Sequence, residues 1–281
     1  MEVGIQGVLG SFHDQAASKY FNGHDLDLKP FSSFRSLAKA IQAKELDYGV
    51  MAIENTIAGS ILPNYALISE FDLEVTGEVY IRIEMNLIAH AGVKLEDINQ
   101  VFSHPMALLQ CSDFLTQYPN MKLTEYEDTA DSVRLIKESN MTNAAAIASK
   151  KAAQLFDMPI LEENIETNKQ NYTRFLIIKS RMNGQTKVPE KASLRVMTKH
   201  DPGRLSDVLV AFKEHNINLT KIQSMPVLGQ PYRYAFNIDV TWEDYDEYQQ
   251  SLKEIAKSSE LIEIHGEYEK GLMPDYDKGS R

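Results

Sequence analysis

The sequence is short of several things that proteins use for chemistry. It has one cysteine, Cys111, in 281 residues, so no intramolecular disulfide and no thiolate metal site can form. Its seven histidines are scattered, with no H-x-x-x-H or H-x-H pair, which argues against a zinc centre. Positive charge is in deficit: 29 lysines and arginines against 40 acids give a formal net charge of −11. Such a surface repels polyphosphates at long range and disfavours general nucleic-acid binding, although a few placed cations can still hold a small anion. No window approaches the run of about 20 apolar residues that a membrane span requires. The opening MEVGIQGVLGSF has neither a basic n-region nor a long apolar h-region, so it does not read as a secretory signal, and a cytoplasmic protein is expected. No internal repeat at solenoid periods is visible.

What is there is an ordinary globular balance, 43% hydrophobic and 25% charged, over a length sufficient for two domains. The polar stretch KSRMNGQTKVPEKAS, with Gly184 and Pro189, reads as a linker. The expected division is a domain over 1–180, a linker over 181–192, a second domain over 193–268 and a tail over 269–281.

Before the linker, short apolar strands alternate with amphipathic helices. EVGIQG leads to a helix from Ser11 to about Phe21, LDYGVMAIEN to one around Asn64 to Phe71, and QVFSHP to one running through Tyr118. LTEYEDTADSV and AAAIASKKAAQLF repeat the pattern, and EVYIRIEMNLIAH reads as strands. The alternation implies largely parallel sheet, with chemistry gathered at strand ends beside helix N-termini. Hydroxyls stand at these junctions: Ser11, Thr56 with Ser60, Ser103, Thr129 and Ser149. Each alone reads as a helix cap, and SFHD resembles a capping box; together they would line a crevice suited to carboxylates or phosphates. Gly4, Gly7 and Gly10 are spaced G-x-x-G-x-x-G, which is not a dinucleotide fingerprint and fits close backbone approach to a small anion. After the linker the order is βαββαβ, the ferredoxin-like split βαβ, which does not by itself decide function.

Within NYTRFLIIKS, Phe175 to Ile178 read as a buried strand, headed by Thr173 and Arg174. The bland account is that the arginine ends the strand in solvent and the threonine satisfies the turn. GVLGSF, IENTIAGSI from Ile53, SHPMALLQC from Ser103, DTA from Asp128, AAIAS from Ala145 and NYTRF from Asn171 occur in one order. In that order they resemble the prephenate dehydratases of phenylalanine biosynthesis, over nearly the whole chain. DPGRLSDVL and KIQSMPV resemble the effector motifs of the ACT regulatory domain that follows in that family. The resemblance implies a bilobal, type II periplasmic-binding-protein-like α/β catalytic domain followed by a ferredoxin-like ACT domain.

The resemblance also implies the reaction, in which prephenate loses carbon dioxide and water and becomes phenylpyruvate. Aromatisation drives it, so no cofactor or metal is expected. Thr173 would then serve the departing hydroxyl, chiefly by positioning and by stabilising developing charge, with Arg174 pairing a carboxylate in a bidentate fork. Asn55 and Gln110 would orient the ring hydroxyl or a carboxylate. Ser11, Thr56, Ser103 and Thr129 would offer hydroxyls or backbone N–H groups, with Ser103 and Gln110 on one helix face if the helix begins at Ser103. Phe175 reads equally as a floor to the site and as ordinary core. Glu54 either pairs with Arg174 or orients Asn55. His104 reads as structural because Pro105 follows it, and Cys111 as a small buried apolar residue.

Two positions depart from the family pattern in the first domain: Met106 stands where glutamine is common, and Thr56 replaces a common serine. In the second, Gly203, Leu205, Asn218, Gln223, Ser224 and Met225 would hold L-phenylalanine as effector. Arg204 replaces an alanine and Met225 an arginine; Arg204 either supplies the lost cation or is a solvated helix-start residue. The expected partners are prephenate, the effector and a second copy, as a homodimer or dimer of dimers, with no nucleic acid and no membrane. A monofunctional enzyme, with no attached mutase or dehydrogenase, is expected. Arogenate as substrate, and a non-catalytic metabolite sensor, are the alternatives.

Overall fold

The computed structural model describes residues 1–181, 189–199, 201–227, 229–230 and 232–272. The chain opens with β1 (Glu2–Gln6), α1 (Phe12–Tyr20), β2 (Asp27–Phe31), α2 (Phe34–Gln42), β3 (Tyr48–Asn55) and β4 (Gly59–Ser60). It continues with α3 (Leu62–Glu70), β5 (Leu73–Arg82), β6 (Asn86–Ile88), β7 (Gln100–Ser103), α4 (Pro105–Gln110), α5 (Ser112–Leu115) and β8 (Lys122–Glu125). Then come α6 (Thr129–Glu138), β9 (Ala144–Ala148), α7 (Lys150–Leu155), β10 (Ile160–Glu162) and β11 (Tyr172–Ser180). The last stretch is β12 (Lys191–Thr198), α8 (Arg204–Glu214), β13 (Asn218–Pro226), β14 (Tyr234–Thr241), α9 (Tyr245–Ile255) and β15 (Ser259–Tyr268). Of the expected linker, 182–188 lie outside the described residues, as do 273–281 of the expected tail.

Two compact units form. The first comprises Met1–Leu37, Val50–Gly59 and Val79–Phe175; the second comprises Ala38–Gly49, Ser60–Glu78 and Leu176–Arg281. The strands build three sheets, with orders β2-β1-β3-β11-β5 (β4 added on β3), β10-β6-β9-β7-β8 and β13-β14-β12-β15. The expectation of largely parallel sheet needs correction in the second of these. There β7 runs parallel to β8 and β9, but β6 is antiparallel to both β9 and β10.

Strand β9 is AAAIA and all five residues are buried. Small side chains let α6 and α7 lie close to it, and Ala130, Val133 and Ile136 of α6 recur on the covered face. Burying a valine or isoleucine there contributes about 1.5–3 kcal/mol. β2 and α2 are not among the expected elements, although α2 carries a plain amphipathic pattern. β2 is a half-exposed edge strand containing Pro30, which an edge tolerates because no ladder N–H is lost. α2 follows it at once and buries Leu37, Ala38 and Ile41.

The helix expected through Tyr118 is two short helices broken at Cys111. Thr167 fills the break: its N–H donates to the Gln110 carbonyl at 2.8 Å and its hydroxyl accepts from Asp113 N at 3.2 Å. The α3 helix starts at Leu62, earlier than expected.

The third sheet has the split βαβ order that its sequence predicts. Leu194, Val196, Ile238 and Val240 face Val208, Phe212 and Tyr248 of the two helices. Register places Ser193 opposite Asp239 and Lys221 beside them on the helix-free face. That face is polar yet buried. Lys191 donates to both Glu78 oxygens at 3.0 and 2.9 Å, and Gly271 N donates to Glu78 Oε1 at 3.0 Å. Ser193 Oγ donates to Asp239 Oδ1 at 2.6 Å and also meets the Tyr268 hydroxyl at 2.6 Å. Gly266 lies so close to β5 that a Cβ there would come within 1.9 Å of the Val75 carbonyl oxygen. Only glycine fits that approach.

Candidate active site

Strand β11 carries the apolar run Phe175 to Ile178 fully into the core, and the strand order sets it between β3 and β5. At its head Thr173 and Arg174 are 8% and 4% exposed, so the arginine does not end the strand in solvent. Asn55 ends β3. Its Oδ1 accepts from the N–H groups of Ile57 (2.9 Å) and Ala58 (2.8 Å), an Asx turn that fixes which way the carboxamide points. Nδ2 therefore faces β11 and donates to Asn171 Oδ1 at 2.8 Å, Thr173 Oγ1 at 3.0 Å and Tyr172 O at 3.2 Å. Asn171, fully buried, uses its own Nδ2 on Gln110 Oε1 at 2.9 Å. Each amide orientation dictates the next.

Two free donors result. Gln110 has its oxygen engaged, which leaves its NH₂ group as a donor on a half-buried side chain. Thr173 accepts from Asn55, which leaves its hydroxyl hydrogen to be given to something else. Phe175 packs at 1% exposure, edge-on to the His13 ring at 5.0 Å. His13 also meets Phe34, its Nε2 is enclosed, and burial lowers its pKa to about 3, which keeps the ring neutral.

The other expected residues lie elsewhere. Ser103 is not on a helix: it ends β7, is fully buried and donates to Ile147 O at 2.6 Å. Thr56 is exposed, but its hydroxyl donates to Gln170 O and accepts from Tyr172 N, stapling the approach to β11. Thr129 is the first helical residue of α6, and the cap is Asp128, whose carboxylate accepts from Ala130 and Asp131 N–H. Ser11 and Ser149 are caps, both buried. The capping box expected of SFHD is not closed: Ser11 accepts from Asp14 N, but the Asp14 carboxylate accepts from Gly10 N at 2.8 Å, one residue before the cap, and Ser11 N donates to Val8 O. Of the hydroxyls expected at five junctions to line a crevice, only Ser11 and Ser149 are helix caps, and both are occupied. Gly7 does permit close approach, but to the Asp128 carboxylate: a Cβ would sit 2.6 Å from Oδ2. His104 caps α4 by accepting from Met106 N, Met106 is exposed, and burial pushes the Cys111 thiol up to about 12.

Sequence reasoning missed Asn171 as a separate member of the site. Its signal was its place at the head of NYTRF, but the side-chain partners are 61 and 116 positions away. A cavity of about 1030 Å³ opens beside Gly7, His104 and Asp128 in the same unit. Glu125, Glu127, Asp128 and Asp131 line it with a single imidazole, a balance that repels a dianion.

The effector candidates fall at two ends of the ferredoxin-like sheet. Gly203 caps α8 with φ +85°, and Leu205 follows half-buried. Gln223, Ser224 and Met225 lie late in β13, and Asn237 donates to Met225 Sδ at 3.0 Å. Asn218 starts that strand, about 17 Å from Gln223 at ordinary strand rise, and lines a cavity of about 680 Å³ with His215 and Trp242. Arg204 is engaged by Asp201 and Asp207 at 3.3 and 3.2 Å.

A family model described as prephenate dehydratase matches residues 3–183. The chain belongs to the prephenate dehydratase family. Among curated relatives, the bifunctional chorismate mutase/prephenate dehydratase of Aquifex aeolicus is 33% identical over 277 residues, covering 98% of this chain and 75% of the relative. Among solved structures, GqqA, titled a novel type of quorum quenching acylase, is 27% identical with a TM-score of 0.86, covering 95% of this chain and 97% of that one. The prephenate dehydratase of Arthrobacter aurescens in complex with L-Phe is 24% identical with a TM-score of 0.86, covering 96% and 90%, and at that identity it shows the shared fold. No helix among the described residues is long and apolar enough to cross a membrane.

Proposed function

We propose that the chain converts prephenate to phenylpyruvate, carbon dioxide and water, using the Thr173 cluster. The observation that carries this reading is the hydroxyl of Thr173, committed as acceptor to Asn55 and left with a proton to donate, next to buried Arg174. Prephenate is a dianion with an allylic ring hydroxyl. As the C–CO₂⁻ bond breaks, its electron pair enters the ring and the C–O bond to the hydroxyl breaks; one proton is consumed and water leaves. A threonine hydroxyl is a weak acid, so Thr173 acts by hydrogen-bonding the departing oxygen while solvent supplies the proton in net terms. Arg174 pairs one carboxylate, and the NH₂ of Gln110 takes another oxygen. Ring aromatisation supplies the driving force, so the step needs no redox cofactor.

The C-terminal sheet is read as an ACT domain, with L-phenylalanine as effector at Gly203, Leu205 and Gln223 to Met225. The L-Phe complex of the Arthrobacter protein supports this. The same reading makes the protein a cytoplasmic homo-oligomer built on dimers. Purified protein given prephenate should generate the absorbance of phenylpyruvate, more slowly when phenylalanine is present. Faster turnover of arogenate at matched concentration would change the substrate and keep the mechanism; no turnover of either would overturn the reading.

A further inference from the structure

Lys221 sits on β13, an edge strand of the third sheet. Register with β14 puts Lys221, Gln223 and Met225 on one face, against Asp239, Asn237 and Ala235 and away from α8 and α9. From that face the Lys221 ammonium donates to Ser60 Oγ at 2.8 Å and stands 5.4 Å from the centre of the Tyr65 ring on α3. Ser60 belongs to β4, which pairs with β3. It follows Gly59, whose φ is +80°, and Ala58, whose N–H holds Asn55 Oδ1. The turn from Asn55 to Ser60 is therefore pinned at both ends. At one end is the carboxamide that orients Thr173; at the other is a cation from the strand that carries Gln223 and Met225.

We infer that Lys221 is a positioning residue, holding Ser60 and through it the Asn55 turn, so that a change on β13 is passed to the Thr173 hydroxyl. This rests on the reading of Thr173 and phenylalanine given above. Gln223 is one pleat from Lys221, about 7 Å along the strand, so a ligand that shifts that edge displaces the ammonium with it. Withdrawing the ammonium releases Ser60. The glycine beside it lets the turn relax, and the Ile57 and Ala58 N–H groups lose their fixed geometry on Asn55.

Lys221→Met keeps the stem over Tyr65 and removes the donor, Ser60→Ala removes the acceptor, and Ser60→Thr keeps it. Hydrogen exchange of the Ile57 and Ala58 amides is expected to quicken about tenfold in the first two variants and to stay near wild type in Ser60→Thr. In the same preparations kcat for prephenate should fall several-fold with KM little changed. The phenylalanine effect should shrink about fivefold or more while its heat of binding persists. The Lys221→Met, Ser60→Ala double variant should be no worse than either single change. Wild-type exchange at these amides in Lys221→Met, or effects that simply add in the double variant, would overturn the inference. Should the native protein leave prephenate untouched while the exchange responds as expected, the proposed function falls and the Lys221–Ser60 link stands.

Discussion

Around Thr173, three carboxamides and a hydroxyl are joined without a formal charge, and each donor or acceptor fixes the next. On the helix-free face of the C-terminal sheet, a lysine and a glutamate are buried together, both almost fully out of solvent. Both clusters are polar and enclosed, but they do different work. A neutral amide chain sets direction, because a hydrogen bond depends on angle and each amide has one way round. A buried ion pair holds position strongly against the loss of one partner, while its net worth over an apolar pair is small. The first arrangement suits aiming a proton, and the second suits fastening a sheet.

The largest expected effect tests the aimed proton. Thr173→Ala should fold normally and lower kcat by about 10²–10⁴, with Thr173→Ser recovering part of it. Steady-state kinetics decide this, and an alanine variant at wild-type rate would remove the hydroxyl from the mechanism. Next is the fastening pair. Lys191→Met alone leaves Glu78 buried without the Lys191 counter-charge and should cost about 3–5 kcal/mol in denaturant unfolding, most of it regained when Glu78→Leu is added. If the single variant unfolded with the native midpoint, Glu78 would not be held as an ion there.

A smaller loss is expected at Asn171. Asn171→Leu keeps the branching at Cγ but cuts both amide links, and kcat should drop about tenfold, less than for Thr173→Ala. Unchanged turnover would mean that Asn55 orients Thr173 unaided. The smallest effect contrasts the two units by pH. His215 meets Glu247 at 2.7 Å and Glu254 at 3.0 Å, and these bonds, Glu247 first, raise its pKa above the ordinary 6.5. Its contribution to stability is therefore complete below about pH 6.5 and disappears as pH rises through the folded value. The gap in Tm between wild type and His215→Gln should be wider at pH 6 than at pH 9; a gap indifferent to pH would show an uncharged ring. His13, with its pKa lowered by burial, has the opposite sign and opposes folding increasingly as pH falls from about 6.5 toward 3.

What could be read from the sequence was whatever depends on neighbours in the chain. The buried run of β11, the caps Ser11 and Ser149, the proline-started α4 and the βαββαβ order all follow from local pattern. Asn55, Gln110 and Thr173, singled out through the family motifs, are joined in one amide chain, but Asn171, which links Gln110 to the other two, was named only as the start of a motif and not as a site residue. Ser103, Thr56 and Thr129 show the limit. A hydroxyl at a strand end looks the same whether it faces a crevice or a carbonyl, and the carbonyls that take Ser103 and Thr56 lie 44 and 114 positions away. The charged face of the third sheet was equally invisible, since Lys191 sat inside a stretch that read as polar linker and Glu78 inside an ordinary strand.

The closeness of Gly266 to Val75, together with the Lys191–Glu78 pair, bears on how the protein can be taken apart. A fragment ending at Ser180 would keep Glu78 and shed its cation, and would bare the β5 backbone where Gly266 now lies. The uncovered strand edge invites association, whereas a carboxylate opened to water keeps its charge at little cost, so such a fragment would need the β5 edge blocked before it could serve as a stand-alone catalyst. For recombinant dissection or domain grafting, the seam that matters runs along β5, and a scissors cut in the linker does not reach it.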